Sequence, residues 1–296
     1  MIKVASCGVD LWVELLIVVS ALLFTFTSPC ACPAALGMSK DDDIDTNRPS
    51  FMDSPLVVPK GSVQLENGAL YQHFQHGVNY FDISETEVRI GLTPKTEFQM
   101  FVPNFVLLHS PGASMTTVSN SSLSALTTVN SAPSNTLTGI SDLQEIGLKR
   151  QVGTHFKDLN VAVIGGVTVP TGNKFVSGTG TQPVLRVPFT KALTKNWSFC
   201  GMQSILVLNS GSDVQYQNFV MLNRAFGART SAFVEYGGFY THHQGPLNIF
   251  HSGAVRKLNK NNQIDIQFGF GMNKAAPAAF VGAGYSCRFD RLPLLN

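Results

Sequence analysis

Two consecutive stretches near the C-terminus alternate strictly in polarity. In the first, Ile264, Ile266, Phe268, Phe270 and Met272 share one face, and Gln263, Asp265, Gln267, Gly269 and Gly271 fall between them. In the second, Val281, Ala283, Tyr285, Cys287 and Phe289 alternate with Gly282, Gly284, Ser286 and Arg288. A period of two belongs to a β-strand, whose successive side chains point to opposite sides; a helical face would repeat every 3.6 residues. Segments of about ten residues with one apolar face and one polar or glycine face, recurring along a chain, mark a membrane-spanning β-barrel.

Composition supports this reading. The chain has 296 residues, 44% of them hydrophobic and only 14% charged, against roughly 25% charged in soluble domains, so much of its surface need not face water. No segment after residue 40 supplies the roughly 20 unbroken apolar residues of a spanning helix, and a closed barrel is then the architecture that lipid permits. The formal net charge of +2, evenly spread, excludes the basic footprint of a nucleic-acid binder, and no nucleic-acid partner is assigned.

At the N-terminus, Lys3 precedes an apolar core from Leu15 to Phe26, and small residues follow as far as Ala35-Leu36-Gly37. This pattern predicts a signal peptide over residues 1–37. Cys200 and Cys287 then remain in separate strands, where two unpaired thiols are expected rather than a disulfide framework. The run Asp41-Asp42-Asp43-Ile44-Asp45 lacks the Gly and the distal Glu of a calcium loop. Residues 38–60 read as a solvated periplasmic N-terminal linker, and 61–296 as the outer-membrane barrel.

Period and turn residues place strands near 61–73, 77–92, 96–107, 141–152, 158–169, 182–191, 196–208, 214–223, 229–241, 247–258, 262–272 and 279–289. That is an all-β, antiparallel transmembrane barrel of about 12 strands, the even number that bacterial barrels require. Alternate connectors are compact, among them Thr93-Pro94-Lys95, Leu193-Thr194-Lys195 and Asn259-Lys260-Asn261. The long ones, Ser110–Gly139 and Pro170–Thr181, fall on the opposite side of the same count. Short periplasmic turns and longer outer loops alternate in this way.

The inward face collects the candidate lumen-lining residues Glu66, Glu87, Arg89, Glu97, Lys149, Arg186, Glu235, Asp265 and Arg288. Buried charge is tolerated only when paired or wetted, so these residues form either a cross-strand ion-pair network that stiffens the barrel or a solute-selective lining. Tyr71, Trp197, Tyr216, Tyr236, Tyr240, Tyr285 and Phe289 are candidates for aromatic girdles at the bilayer interfaces.

The stretch Asp45-Thr46-Asn47-Arg48-Pro49-Ser50-Phe51-Met52-Asp53-Ser54-Pro55 through Gly61, followed by Val63-Gln64-Leu65-Glu66-Asn67-Gly68, resembles the outer-membrane transporters grouped as the phenol-degradation meta-pathway family. Glu85-Thr86-Glu87-Val88-Arg89-Ile90-Gly91-Leu92-Thr93 is similar to that family's second strand, Val169-Pro170-Thr171-Gly172 to its strand-ending motif, Phe233-Val234-Glu235-Tyr236 to its Glu-Tyr strand, and Ile264 to Asn273 to its penultimate strand. The Ser110–Gly139 loop is long for the family, and Asp290–Asn296 extends beyond the terminal aromatic. The resemblance implies an outer-membrane barrel with a transport role and assigns no binding residue.

No catalytic frame emerges. The histidines are His73, His76, His109, His155, His242, His243 and His251; none stands in a recognisable Ser-His arrangement, and there is no Gly-x-Ser-x-Gly elbow. Adjacent His242 and His243 would point to opposite faces of a strand, and Gly178-Thr179-Gly180 lacks the remainder of a phosphate loop. No catalytic, cofactor or metal residues are assigned, and no cofactor is expected. The expectation is a channel or transporter in the outer membrane of a Gram-negative cell, for passive uptake or binding of small aromatic or apolar solutes. Its expected partners are outer-membrane lipid and lipopolysaccharide, the assembly machinery, and a solute. The alternatives are a non-conducting barrel with a structural or surface-interaction role, and an outer-membrane lipid hydrolase.

Overall fold

The computed structural model describes residues 43–110, 118–119, 126–127, 136–153, 158–173, 177, 180–208, 211–241 and 245–292. The signal segment 1–37, residues 38–42, most of the Ser110–Gly139 loop, His155, Gly178-Thr179 and the His242-His243 pair lie outside the described residues.

Among the described residues, twelve strands close into an antiparallel barrel. They are β1 (Val63–His73), β2 (Asn79–Ile83 and Glu87–Thr93), β3 (Thr96–Phe101 and Phe105–His109), β4 (Thr136–Ile140 and Leu143–Val152), β5 (Leu159–Val169), β6 (Gln182–Ala192), β7 (Trp197–Leu208), β8 (Asp213–Ala225), β9 (Thr230–Thr241), β10 (Leu247–Lys257), β11 (Asn262–Gly271) and β12 (Ala279–Phe289). Each pairs with its neighbours in sequence, and β12 returns to β1 over its whole length, from Val63 opposite Phe289 to His73 opposite Ala279. Closure leaves no unpaired edge, which is the condition for a sheet to sit in lipid.

Three successive strands are interrupted at one level, between Ile83 and Glu87, Phe101 and Phe105, and Ile140 and Leu143. Ser84 carries a φ of 64°, and the β1–β2 register changes by one residue across it, as at a β-bulge. Tyr80 and Asp82 are buried on one side of the break and Glu85, Glu87 and Arg89 on the other, so the inward parity flips. β4 also begins at Thr136, inside the stretch expected to be loop, because Thr136–Ile140 pairs with Phe105–His109. Threonines on its outward face mask the alternation that Leu137 and Gly139 carry inward.

The outward face is an apolar belt. Leu148, Leu185, Ile205, Val234, Ile266 and Val281 on separate strands are all exposed, a display that a soluble monomer rarely tolerates over a few hundred Å². Trp197, Tyr285 and Phe289 lie toward the short-turn end of this face, and Tyr71, Tyr216, Tyr236 and Tyr240 toward the other, so the aromatics fall at two levels. Arg224 stacks over Trp197 at 5.1 Å and over Phe226 at 5.0 Å at the short-turn end, where a cation can reach headgroups. Cys200 and Cys287 are both free.

The inside of the barrel differs from expectation. The stretch 38–60 reads in sequence as a solvated periplasmic linker, yet its described part, residues 43–60, packs inside the barrel. Ile44, Phe51, Met52 and Val58 are buried, as are Asn47 and Asp53. A twelve-stranded barrel is wider than the eight-stranded kind that its own side chains fill. The remaining space and the inward charges both require partners, and this segment supplies them.

Candidate functional site

β1 to β6 bring most of the inward charges to one level. Arg89 on β2 reaches Glu66 on β1 at 2.9 Å and Glu97 on β3 at 2.9 Å. Lys149 on β4 reaches the same Glu97 at 2.9 Å, and Arg186 on β6 pairs with Glu145 on β4. All of these side chains are at most 1% exposed. Register fixes the pairs: Gln64 lies opposite Arg89, and Glu97 opposite Lys149.

Register also sets Glu66 directly opposite Glu87, an arrangement that destabilises a sheet when two like charges face each other unaided. Asn47 of the inserted segment resolves it. Its backbone N–H donates to Glu66 Oε2 at 2.9 Å, and its side-chain Nδ2 donates to Glu87 Oε1 at 2.9 Å and to Asp53 Oδ1 at 2.9 Å. Gln99 donates to Glu87 from the other side at 2.9 Å.

The segment is held along its length in the same manner. The Arg48 N–H donates to Glu66 Oε2 at 3.0 Å, and its guanidinium reaches Glu85 at 2.6 Å and Asp265 at 3.5 Å. Space for that guanidinium exists because positions 68 and 284 are glycine: a Cβ there would lie 2.1 Å from Arg48 Cζ and 2.5 Å from Arg48 Nε. The Phe51 N–H donates to Glu235 Oε2 at 3.2 Å, and the Val58 N–H to Glu97 Oε2 at 2.6 Å. Arg89 Nη1 donates to the Asp45 carbonyl at 2.9 Å and Nη2 to the Leu56 carbonyl at 3.0 Å, so one guanidinium grips both ends of the insert. Asp53 adds a contact of 3.4 Å to Arg186.

Of the nine sequence-predicted residues, Glu66, Glu87, Arg89, Glu97, Lys149 and Arg186 thus meet in one network. Glu235 stands apart with His251, whose Nδ1 is 2.6 Å from Glu235 Oε2, and Asp265 serves Arg48. Arg288 closes the short-turn end, donating to the Asp43 carbonyl at 3.0 Å and to Asp290 at 2.7 Å. Sequence reasoning missed Asn47, Arg48, Phe51, Asp53 and the buried His251. Phe51-Met52 and Leu56-Val57-Val58 were the available signal, since a solvated linker has no use for apolar residues.

Above the charged level lies an apolar one. The Phe51 ring is 6.1 Å from Phe219 in a stacked arrangement, and 6.4 Å from Phe239 and 5.8 Å from Phe280 edge-on. The His251 ring is 4.4 Å away. Met52 packs beside it against Cys200 and Met202. On the short-turn side of this level is a cavity of about 230 Å³, lined by Met52, Asp53, Asn160, Asn196, Asn223, Lys257 and others. On the loop side is one of about 20 Å³, lined by Phe51, Leu70, Gln72, Phe239, Leu247, Ile249, Pro277 and Phe280. Phe51 lines the smaller cavity and Met52 the larger.

The chain is similar in fold to a COG4313 outer membrane channel from Pseudomonas putida F1, at 14% identity over 80% of this chain and 98% of that one, with a TM-score of 0.57. It also aligns with the NanC porin at 8% identity over 76% of this chain and 99% of the other (TM-score 0.48), and with the KdgM porin at 9% over 76% and 99% (TM-score 0.43). No curated protein matches the chain in sequence. A family model described as "Putative MetA-pathway of phenol degradation" matches residues 46–289, a span that takes in the inserted segment with all twelve strands, and the chain belongs to this family.

Proposed function

We propose that this protein is an outer-membrane channel for passive passage of small solutes, closed in the described state by its own residues 44–58. The observation that carries this reading is the insert: residues 44–58 occupy the lumen, with a cavity lined in part by Met52 at the short-turn end and a smaller one lined in part by Phe51 at the loop end. The wall around it is continuous strand to strand, whereas the insert is held by hydrogen bonds and ion pairs from its backbone and side chains to wall side chains, and these can release as a unit. Residues 1–37 act as the export signal, and 61–296 form the barrel. Lipid covers the outer belt, and the lumen charges select among solutes once the segment moves. We read the protein as a non-enzyme; among the described residues, His251 Nδ1 is engaged by the Glu235 carboxylate.

The second reading, a non-conducting barrel, draws on the same network, because a lumen whose charges are paired by an insert is also a stiffened one. Solute entry into vesicles separates the two. Proteoliposomes of the refolded chain from residue 38 should swell in small neutral solutes, faster when Asn47→Ala loosens the segment. A folded barrel that admits no solute even with the loosened segment supports the non-conducting role.

A further inference from the structure

Cys200 is one of two described thiols, and three of the five described methionines, Met52, Met202 and Met221, gather around it. Register places them there. Cys200 on β7 lies directly opposite Met221 on β8, and Met202, two residues on along β7, shares its inward face. Met52 joins the same cluster from the insert. Directly opposite residues have Cβ atoms about 4.5–5.5 Å apart, a span that suits two sulfurs flanking one ion at metal–sulfur bonds of about 2.3 Å. Cys200, Met221 and Met52 also line the cavity of about 230 Å³ at the short-turn end. Methionines recruited only to fill a gap in a core would close that space instead of bordering it.

Two further contacts prepare the cluster. The Thr190 hydroxyl, opposite Cys200 from β6, donates to Sγ at 3.4 Å, the kind of outer contact that orients a metal ligand. The Met202 sulfur accepts the Asp53 N–H at 3.5 Å, which fixes the residue next to Met52.

We propose that Cys200 Sγ, Met221 Sδ and Met52 Sδ bind one soft monovalent cation of the Cu(I) or Ag(I) type. Thiolate and thioether donors together favour such soft ions. The thiol proton leaves for solvent as the metal–sulfur bond forms. A thiolate with a monovalent ion is neutral, so the apolar level around Phe51 takes on no net charge. Because Met52 belongs to the insert and the other two ligands to the wall, the bound ion staples the insert in its seat. By reciprocity, whatever holds the insert seated tightens the ion. The site goes beyond solute passage and stands whether or not the barrel conducts.

The test uses Ag(I), which keeps its oxidation state, on the refolded chain from residue 38 labelled with [methyl-¹³C]methionine. Cys287→Ser removes the second thiol from this parent. One equivalent of silver nitrate should shift the methyl signals of Met52 and Met221 and leave in place those of Met100 and Met272, which face outward. The same addition should slow amide exchange at Phe51 by about tenfold, with that of Phe219 unchanged. Loss of an outer contact alone costs about 10–100-fold in metal affinity. Cys200→Ser and Met221→Leu, the latter conserving volume, should therefore each weaken binding at least about tenfold. Silver that binds while the Met52 and Met221 signals stay put is a thiol adduct only and overturns the proposal. Equal shifts at Met100 and Met272, unchanged exchange at Phe51, or undiminished affinity in a correctly folded Met221→Leu barrel overturn it as well.

Discussion

Asn47→Ala is the perturbation that reads the hold on the inserted segment most cleanly. The side chain donates to Glu87 and to Asp53 and accepts the Ser54 N–H at 2.8 Å. A hydrogen bond to a charged group is worth about 1.5–3 kcal/mol, but Glu87 keeps Gln99 and Asp53 keeps Arg186, so each carboxylate loses part of its support. The seated segment should lose about 3 kcal/mol in total, or about 100-fold in the equilibrium between seated and released segment. The amides of Arg48, Phe51 and Val58 donate to wall carboxylates and exchange with solvent only when the segment leaves, so hydrogen exchange reads that equilibrium directly. Their exchange should accelerate by about two orders of magnitude, while strand amides such as that of Phe219 keep their protection. Unchanged protection in the segment would refute the reasoning, and so would equal loss throughout the barrel, which would make Asn47 a support of the fold instead.

Gly91→Ala places a Cβ 2.1 Å from the Pro59 carbonyl oxygen and 2.4 Å from that of Val58; because backbone must move, the exit of the segment should loosen, seen as faster exchange at Val58 with strand protection intact. Arg186→Met leaves Asp53 and Glu145 buried without their cation and should cost about 3–5 kcal/mol in barrel stability, measured by urea unfolding in vesicles. Ile266→Arg, at an exposed position midway along β11, should cost about 2–4 kcal/mol of stability in lipid, by the same assay. At the end of β12, burial acts to raise the Asp290 carboxyl, but hydrogen bonds from Arg288 and Asn261 outweigh it and hold the pKa below the ordinary value. A lowered folded-state pKa contributes stability that is present above the unfolded value, about 3.9, and is lost as pH falls through the folded one. Thermal stability should therefore drop below about pH 4, and Asp290→Asn should flatten that drop.

The barrel was legible because lipid and lumen impose opposite chemistry on alternate residues. Wherever a strand faces both, as in Gln263 to Gly271, the period shows. It faded where Thr138 and Ile140 face outward beside a Ser/Thr-rich stretch, and where the bulge at Ser84 reverses the parity, so that 77–92 reads as one strand although its two halves face oppositely. The inward charges were legible one by one from the same alternation. Their partners were not, because Asn47 and Glu87 are forty residues apart and no period links them. The insert was hidden by its aspartates, which suggest solvent; inside the barrel Asp53 meets Arg186 and Asp45 offers its carbonyl to Arg89.

Single-channel recording on the refolded chain in a planar bilayer tests the insert most directly. A barrel closed by residues 44–58 should show long closed periods broken by brief steps of one size. Asn47→Ala should lengthen the open periods without altering that step. A folded barrel that gives no steps with either protein, or a wild type that is always open, would contradict a lumen closed by its own N-terminal segment.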